Sequence, residues 1–396
     1  MRSTLICTLL SVCLFTVPSF AEVVVVDPGD KVVIIKPSPK PPKVITQNRI
    51  QIALLLDTSN SMDGLINQAK AQLWNIVNEL SAARCGGVQP LLQVALYEYG
   101  NSRLSQGEGY IRQVLPFTTD LDKLSEKLFE LTTNGGSEYC GMVIQDALNG
   151  LEWSSSEADL KTIYIAGNEP FTQGPVDYRE ASKLSMAKNI LVNPIFCGPR
   201  QTGVATNWQD GATLTGGCYL SIDQNRQMVY VKAPQDDQIA KLNQELNSTY
   251  IVYGGRKAVA SRERQSAQDA NAMALAPQVA TQRTLTKSSR NYNNSTWDLV
   301  DAYKQKEVDL DELKKKDQLP AGFADKPVEE IEAEVKKQSE KRTEIQNRIQ
   351  ELGKERTKWL ADQASKGEKT EDTLEAAILK SIRQQAMDKK YTFAEC

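Results

Sequence analysis

Between residues 50 and 254 the chain alternates short, β-branched apolar runs with longer stretches in which apolar side chains recur every three or four positions. The runs Ile50 to Leu56, Leu91 to Tyr99, Thr162 to Ala166, Ile190 to Phe196 and Cys218 to Ile222 read as buried strands. Between them, Gly64 to Arg84, Asp120 to Leu131, Gly141 to Leu151, Tyr178 to Lys188 and Trp208 to Thr215 read as amphipathic helices. Such alternation predicts an α/β fold of Rossmann-like, doubly wound type, with a mostly parallel sheet covered by helices on both faces. A stretch of about 205 residues is long enough to bury that core as one domain, 47–254.

The flanks follow other patterns. Residues 22–46 hold two β-branched runs around Asp27-Pro28-Gly29-Asp30, which predict a short hairpin, followed by the proline-rich spacer KPSPKPPK. Residues 255–296, rich in Ala, Gln, Arg, Ser and Asn, lack a sustained apolar period and are expected to be a flexible linker. The region 297–396 is charged and helical in pattern. Val328, Ile331, Val335, Gln338, Arg342, Ile345, Ile349, Leu352, Arg356 and Trp359 form a coiled-coil-like stripe that Gly353 and the two arginines weaken. Leu299, Tyr303, Leu310 and Leu313 could face it within one chain, or the stripe could pair two copies; a last helix runs from Leu374 to Met387.

Residues 1–21 have a basic start, an apolar stretch and a Ser19-Phe20-Ala21 ending, the pattern of a secretory signal peptide. No later run is apolar enough to span a bilayer. The mature chain is therefore expected to be exported, either periplasmic or secreted. Cys85, Cys140, Cys197, Cys218 and Cys396 would then meet an oxidising compartment, where a disulfide is expected, most simply among Cys140, Cys197 and Cys218. The chain contains no histidine, which excludes histidine-based catalysis and the commonest zinc sites. A net charge of −3 gives no electrostatic case for nucleic acid.

The chemistry concentrates where the first strand ends. Asp57-Thr58-Ser59-Asn60-Ser61 places a carboxylate and two hydroxyls at alternate positions, a set of oxygens suited to a hard divalent cation. The same residues could instead merely cap the helix that follows. In sequence the segment matches D-x-S-x-S, and with the alternation after it the chain resembles a von Willebrand factor type A (vWA) domain, in which this motif forms the metal-ion-dependent adhesion site (MIDAS).

The resemblance implies that Asp57, Ser59 and Ser61 hold Mg²⁺ (or Mn²⁺), that a hydroxyl from a second loop joins them, and that a partner protein's acidic residue completes the coordination. The second-loop hydroxyl would come from Ser137, after Gly135-Gly136, or from Thr133. The family pattern ends a later strand in Thr-Asp-Gly, whereas TIYIAGNEP places Gly167 where the aspartate is expected, leaving Asn168 or Glu169 to compensate. The implied function is cation-dependent protein–protein binding in adhesion or envelope assembly, without enzymatic activity. Two rival readings remain: a coiled-coil oligomerising scaffold whose vWA domain is metal-free, and a Mg²⁺-dependent phosphatase using Asp57, which lacks the acid expected at Ser59.

Overall fold

The computed structural model describes residues 23–26, 32–35, 47–225, 231–364 and 374–393. The expected signal peptide, the proline-rich spacer and Cys396 lie outside the described residues. Two compact units divide the chain, Met1–Thr46 and Gln47–Cys396. In the first, β1 (Val23–Val26) pairs antiparallel with β2 (Val32–Ile35).

The second unit opens with β3 (Arg49–Asp57), α1 (Asp63–Ser81), β4 (Ala83–Cys85), β5 (Leu91–Tyr99), β6 (Ile111–Thr118), α2 (Leu121–Glu130) and α3 (Cys140–Gly150). It continues with β7 (Leu160–Gly167), α4 (Tyr178–Ala187), β8 (Leu191–Cys197), α5 (Arg200–Ala205), α6 (Trp208–Thr215) and β9 (Leu220–Ile222). Six strands form one sheet in the order β6-β5-β3-β7-β8-β9, parallel except for β6. The fold is thus the α/β, mostly parallel arrangement expected. Side chains alternate across β3: Ile52 and Leu56 pack toward Leu65, Trp74 and Leu124, while Ala53 and Leu55 pack toward Ile144, Tyr178 and Trp208. Burial on both faces is why the strand reads as a continuous apolar run.

Sequence periodicity misses β6. It is the antiparallel edge of the sheet, with Arg112, Gln113 and Pro116 exposed, a composition only an edge strand tolerates.

The expected flexible linker is instead two helices, α8 (Arg256–Leu275) and α9 (Pro277–Lys287), preceded by α7 (Asp236–Asn247). Their buried faces are largely polar, which erases the apolar period. Arg283 is 1% exposed and pairs with Asp122 and Asp269, each at 2.6 Å, while Lys287 meets Asp269 at 2.9 Å. Ser125 donates to Gln268 at 2.8 Å. Here charged hydrogen bonds, satisfied across distant segments, do what apolar contacts do elsewhere.

The helices beyond residue 297 do not stand apart from the sheet, since Gln47–Cys396 is one compact unit. They are α10 (Leu299–Lys304), α11 (Leu310–Lys315), α12 (Ala321–Ala324), α13 (Val328–Ala364) and α14 (Leu374–Asp388), and β10 (Tyr391–Phe393) ends the described chain. The stripe on α13 is consumed within the chain. Ile331 and Val335 join Leu299, Leu310 and Leu313, and Ile349 packs with Leu246. Its two arginines are buried ligands of acids: Arg342 reaches Asp298 and, at 2.8 Å, Asp301, and Arg356 reaches Asp236 at 2.7 Å.

The last helix belongs to the sheet. Leu374, Ile378 and Ile382 enter the same core as Ile52 and Leu56, the Tyr164 and Ser381 hydroxyls lie 2.8 Å apart, and β10 pairs with β4. Gln68 on α1 ties both approaches together, donating to the Asp223 carbonyl at 2.8 Å and accepting from the Leu374 N–H at 3.1 Å. The helices from α7 to α13 are therefore inserted between β9 and the helix that completes the sheet's cover. Among the described residues, Cys85, Cys140, Cys197 and Cys218 are free thiols, so the expected bridge among the last three is not formed.

Candidate metal centre

Strand β3 lies at the centre of the sheet with β5 on one side and β7 on the other, so its carboxyl end is the point where the winding reverses and a crevice opens. Asp57 is the last residue of β3 and is fully buried. Two further loops, at residues 99–102 and 132–135, close on it. The Thr58 N–H donates to the Tyr99 carbonyl at 2.9 Å, the Asn134 N–H donates to the Thr58 carbonyl at 2.9 Å, and the Ser102 N–H donates to the Gly135 carbonyl at 2.7 Å. Asn101 adds a bond from its side-chain amide to the Thr132 carbonyl at 2.9 Å.

Asp57 Oδ1 accepts the Ser59 N–H at 2.7 Å, which turns the chain so that the serine follows the carboxylate into the crevice. Neither the 3-10 turn Asn60–Met62 nor α1 receives a side-chain cap. The capping explanation for the serines is thereby removed. What remains is a set of buried oxygens without partners: Asp57 Oδ2, Ser59 Oγ, Glu138 Oε2 and Asn168 Oδ1. Buried polar atoms are nearly always satisfied, so a cluster of unsatisfied ones around one carboxylate asks for a ligand. Asn168 also donates to Ser61 Oγ at 3.0 Å, drawing the exposed Ser61 to the end of β7.

The structure thus pairs Asp57 with Ser59 and Ser61 with Asn168, and the charge of Glu169 acts on Asp57 and Glu138 from nearby. Thr133 goes elsewhere: its hydroxyl donates to Asp63 on α1. Ser137 is half-buried immediately before Glu138. Glu138 is the residue that sequence reading left outside the ligand set. It is 4% exposed, its side chain crowds the Asp57 carboxylate beside Gly100, and its N–H is held by Gln173 Oε1 at 2.5 Å. The signal was its place directly after Gly135-Gly136-Ser137, but an acid beside a loop hydroxyl could as well have pointed to solvent.

Burial pushes both acids up, the pair titrating at about 6 and about 9; the Asp57 charge further disfavours ionisation of Glu138, whereas the Glu138 carboxyl favours ionisation of Asp57. As two ionised carboxylates neither has a hydrogen to give, so the contact needs a shared proton or a cation between them.

No protein-family model matches the chain. No curated protein matches it either. Among solved structures it is similar to a conserved hypothetical protein, BatB, from Bacteroides thetaiotaomicron, with 17% identity and a TM-score of 0.34 over 44% of this chain and 90% of that one. The VWA domain of SpRpn10 is 15% identical, with a TM-score of 0.32 over 45% of this chain and 90% of that one. Proximal thread matrix protein 1 from the mussel byssus, described with a zinc-occupied MIDAS motif, is 12% identical with a TM-score of 0.33, over 44% of this chain and 42% of that one. The chain is similar to vWA domains. Likeness at this level assigns no ligand, and the site stands on its own geometry.

That geometry fits a hard cation. Every donor in the cluster is an oxygen, two of them from buried carboxylates. Among the described residues no group of three or more Cys, Asp and Glu side chains is arranged to hold a metal, so hydroxyl and amide oxygens would have to complete the set.

Proposed function

We propose that this chain is an exported binding protein that grips another protein through a divalent cation, Mg²⁺ or Mn²⁺, held by Asp57, Ser59 and Ser61. A ligand set with neutral hydroxyls leaves the ion able to accept an oxygen from a partner's acidic side chain. Asn168 orients Ser61, and Glu169 lies within electrostatic reach at the same sheet edge. The observation that carries the reading is the cluster of buried, partnerless oxygens around Asp57. The serine hydroxyls do no capping, which removes the competing explanation for the motif.

Binding rather than catalysis is the proposed activity, Asp57 serving as a ligand and not as a nucleophile. No helix among the described residues is long and apolar enough to cross a membrane. Export rests on the signal-like residues 1–21.

The test is calorimetric titration of Mg²⁺ and Mn²⁺ into the full mature chain and into a Ser59→Ala, Ser61→Ala variant. Binding lost in the variant supports the site. No binding by the unaltered chain overturns it. Hydrolysis of a generic phosphate ester, abolished by Asp57→Asn, would replace binding with phosphoryl transfer.

A further inference from the structure

We propose that Glu138 is the second anionic ligand of the cation, supplying from the 132–138 loop the carboxylate that Gly167 lacks at the end of β7. The inference deepens the divalent-cation reading above and rests on it.

Two sets of observations lead there. At Gly167, a Cβ would lie 2.4 Å from Tyr99 Oη and 3.3 Å from Asp57 Oδ2. The Tyr99 hydroxyl is fixed by donating to the Ala166 carbonyl at 3.0 Å, and the ring is fully buried. Tyrosine therefore fills the space an aspartate side chain would need, and β7 cannot offer a carboxylate there without displacing it. The strand end is closed to that ligand by packing.

Across the crevice the loop is shaped to deliver one. A Cβ on Gly100 would lie 2.7 Å from Glu138 Cγ and 2.8 Å from Asp57 Oδ1, so both acids crowd the same point above the 99–101 turn. Gly100 adopts a φ of +78°, a conformation that a side chain would strain in any case. Gly136 is pressed onto that turn, where its Cβ would meet the Gly100 carbonyl at 2.4 Å. Two close backbone approaches, each requiring glycine, thus aim the Glu138 carboxyl inward. Its Oε2 is buried with no partner, as are Asp57 Oδ2 and Ser59 Oγ.

A structural role would be different: Glu138 could serve only as a neutral acid hydrogen-bonded to Asp57. Glutamine preserves that bond and the shape but cannot carry the charge. Mg²⁺ and Mn²⁺ are titrated at constant pH into the full mature chain, Glu138→Gln, Glu138→Asp and the Ser59→Ala, Ser61→Ala variant, with circular dichroism checking that each is folded. The expected result is at least tenfold weaker binding by Glu138→Gln, with Glu138→Asp between it and the unaltered chain. Unchanged affinity in Glu138→Gln, with binding lost in the serine variant, would overturn the role of Glu138 and leave the cation site standing. No binding by the unaltered chain would overturn both. Should Glu138→Gln not fold, Glu138→Asp decides alone: a charged but shorter ligand must weaken binding, and equal affinity refutes the proposal.

Discussion

The Tyr99 hydroxyl occupies the space into which any side chain at Gly167 would have to grow, 2.4 Å from where its Cβ would stand. Because that hydroxyl is also bonded to the Ala166 carbonyl, it cannot swing aside without breaking a buried hydrogen bond. Gly167→Asp, the change that would restore the family pattern, is therefore expected to destabilise the chain by about 1–3 kcal/mol through overpacking. Tyr99→Phe should recover part of the loss. Urea unfolding of the two single variants and the double variant measures the coupling, and simple additivity would show that the clash is relieved some other way.

The paired acids predict how stability depends on pH. Free in the unfolded chain they titrate near 3.8 and 4.5; in the fold they hold protons to about 6 and about 9, raised first by burial. The folded state thus binds more protons than the unfolded state across this interval. Their stabilising contribution is present in full below about pH 4 and is lost as pH rises through 6 and 9. Without divalent cation, the thermal midpoint of the unaltered chain should fall over that range more steeply than that of Glu138→Gln. Millimolar Mg²⁺ should raise it most at the alkaline end, where the cation replaces the missing proton. Equal pH slopes for the two proteins would place the titration elsewhere.

How much of this could be read from the chain follows from where its apolar residues sit. The central strands and their helices were legible because both faces of the sheet are buried, giving runs such as Ile50 to Leu56. The Asp57-Thr58-Ser59-Asn60-Ser61 segment stands out in the sequence because its spacing is local. Edge strand β6 was not, since half of it faces water. Helices α8 and α9 were hidden because Arg283, Lys287 and Gln268 are buried by hydrogen-bond partners up to 161 residues away, which no local period encodes. The place of Glu138 depends on two glycine approaches visible only once the loops have closed.

The end of the chain is predicted to be indispensable to the sheet. A protein stopped at Gly254 keeps every strand of the sheet but loses α14, whose Leu374, Ile378 and Ile382 are each at most 3% exposed against it. Three such side chains are worth about 1.5–3 kcal/mol each, and the truncation also removes Arg283 from its stacking over Trp74 and its pair with Asp122. Since a domain is stable by only about 5–15 kcal/mol, the truncated chain should be aggregated or unfolded. Near-ultraviolet circular dichroism and gel filtration give the answer; a soluble, folded fragment would show that the sheet stands without its last helix.

Arg342 tells a spacer helix from a structural one. It lies at the centre of the α13 stripe, 3% exposed, with its guanidinium donating to the Thr249 hydroxyl at 2.9 Å and the Thr249 carbonyl at 2.7 Å as well as to Asp298 and Asp301. Replacing it with alanine strands two acids in the interior, a change that costs about 3–5 kcal/mol. If the stripe instead served to pair two chains, Arg342→Ala would shift an oligomer toward monomer with little loss of fold. Sedimentation velocity and urea unfolding separate the cases: the expected outcome is an unaltered sedimentation coefficient in water and a clearly lower urea midpoint, because the residues that would have paired with another copy are already spent on this one.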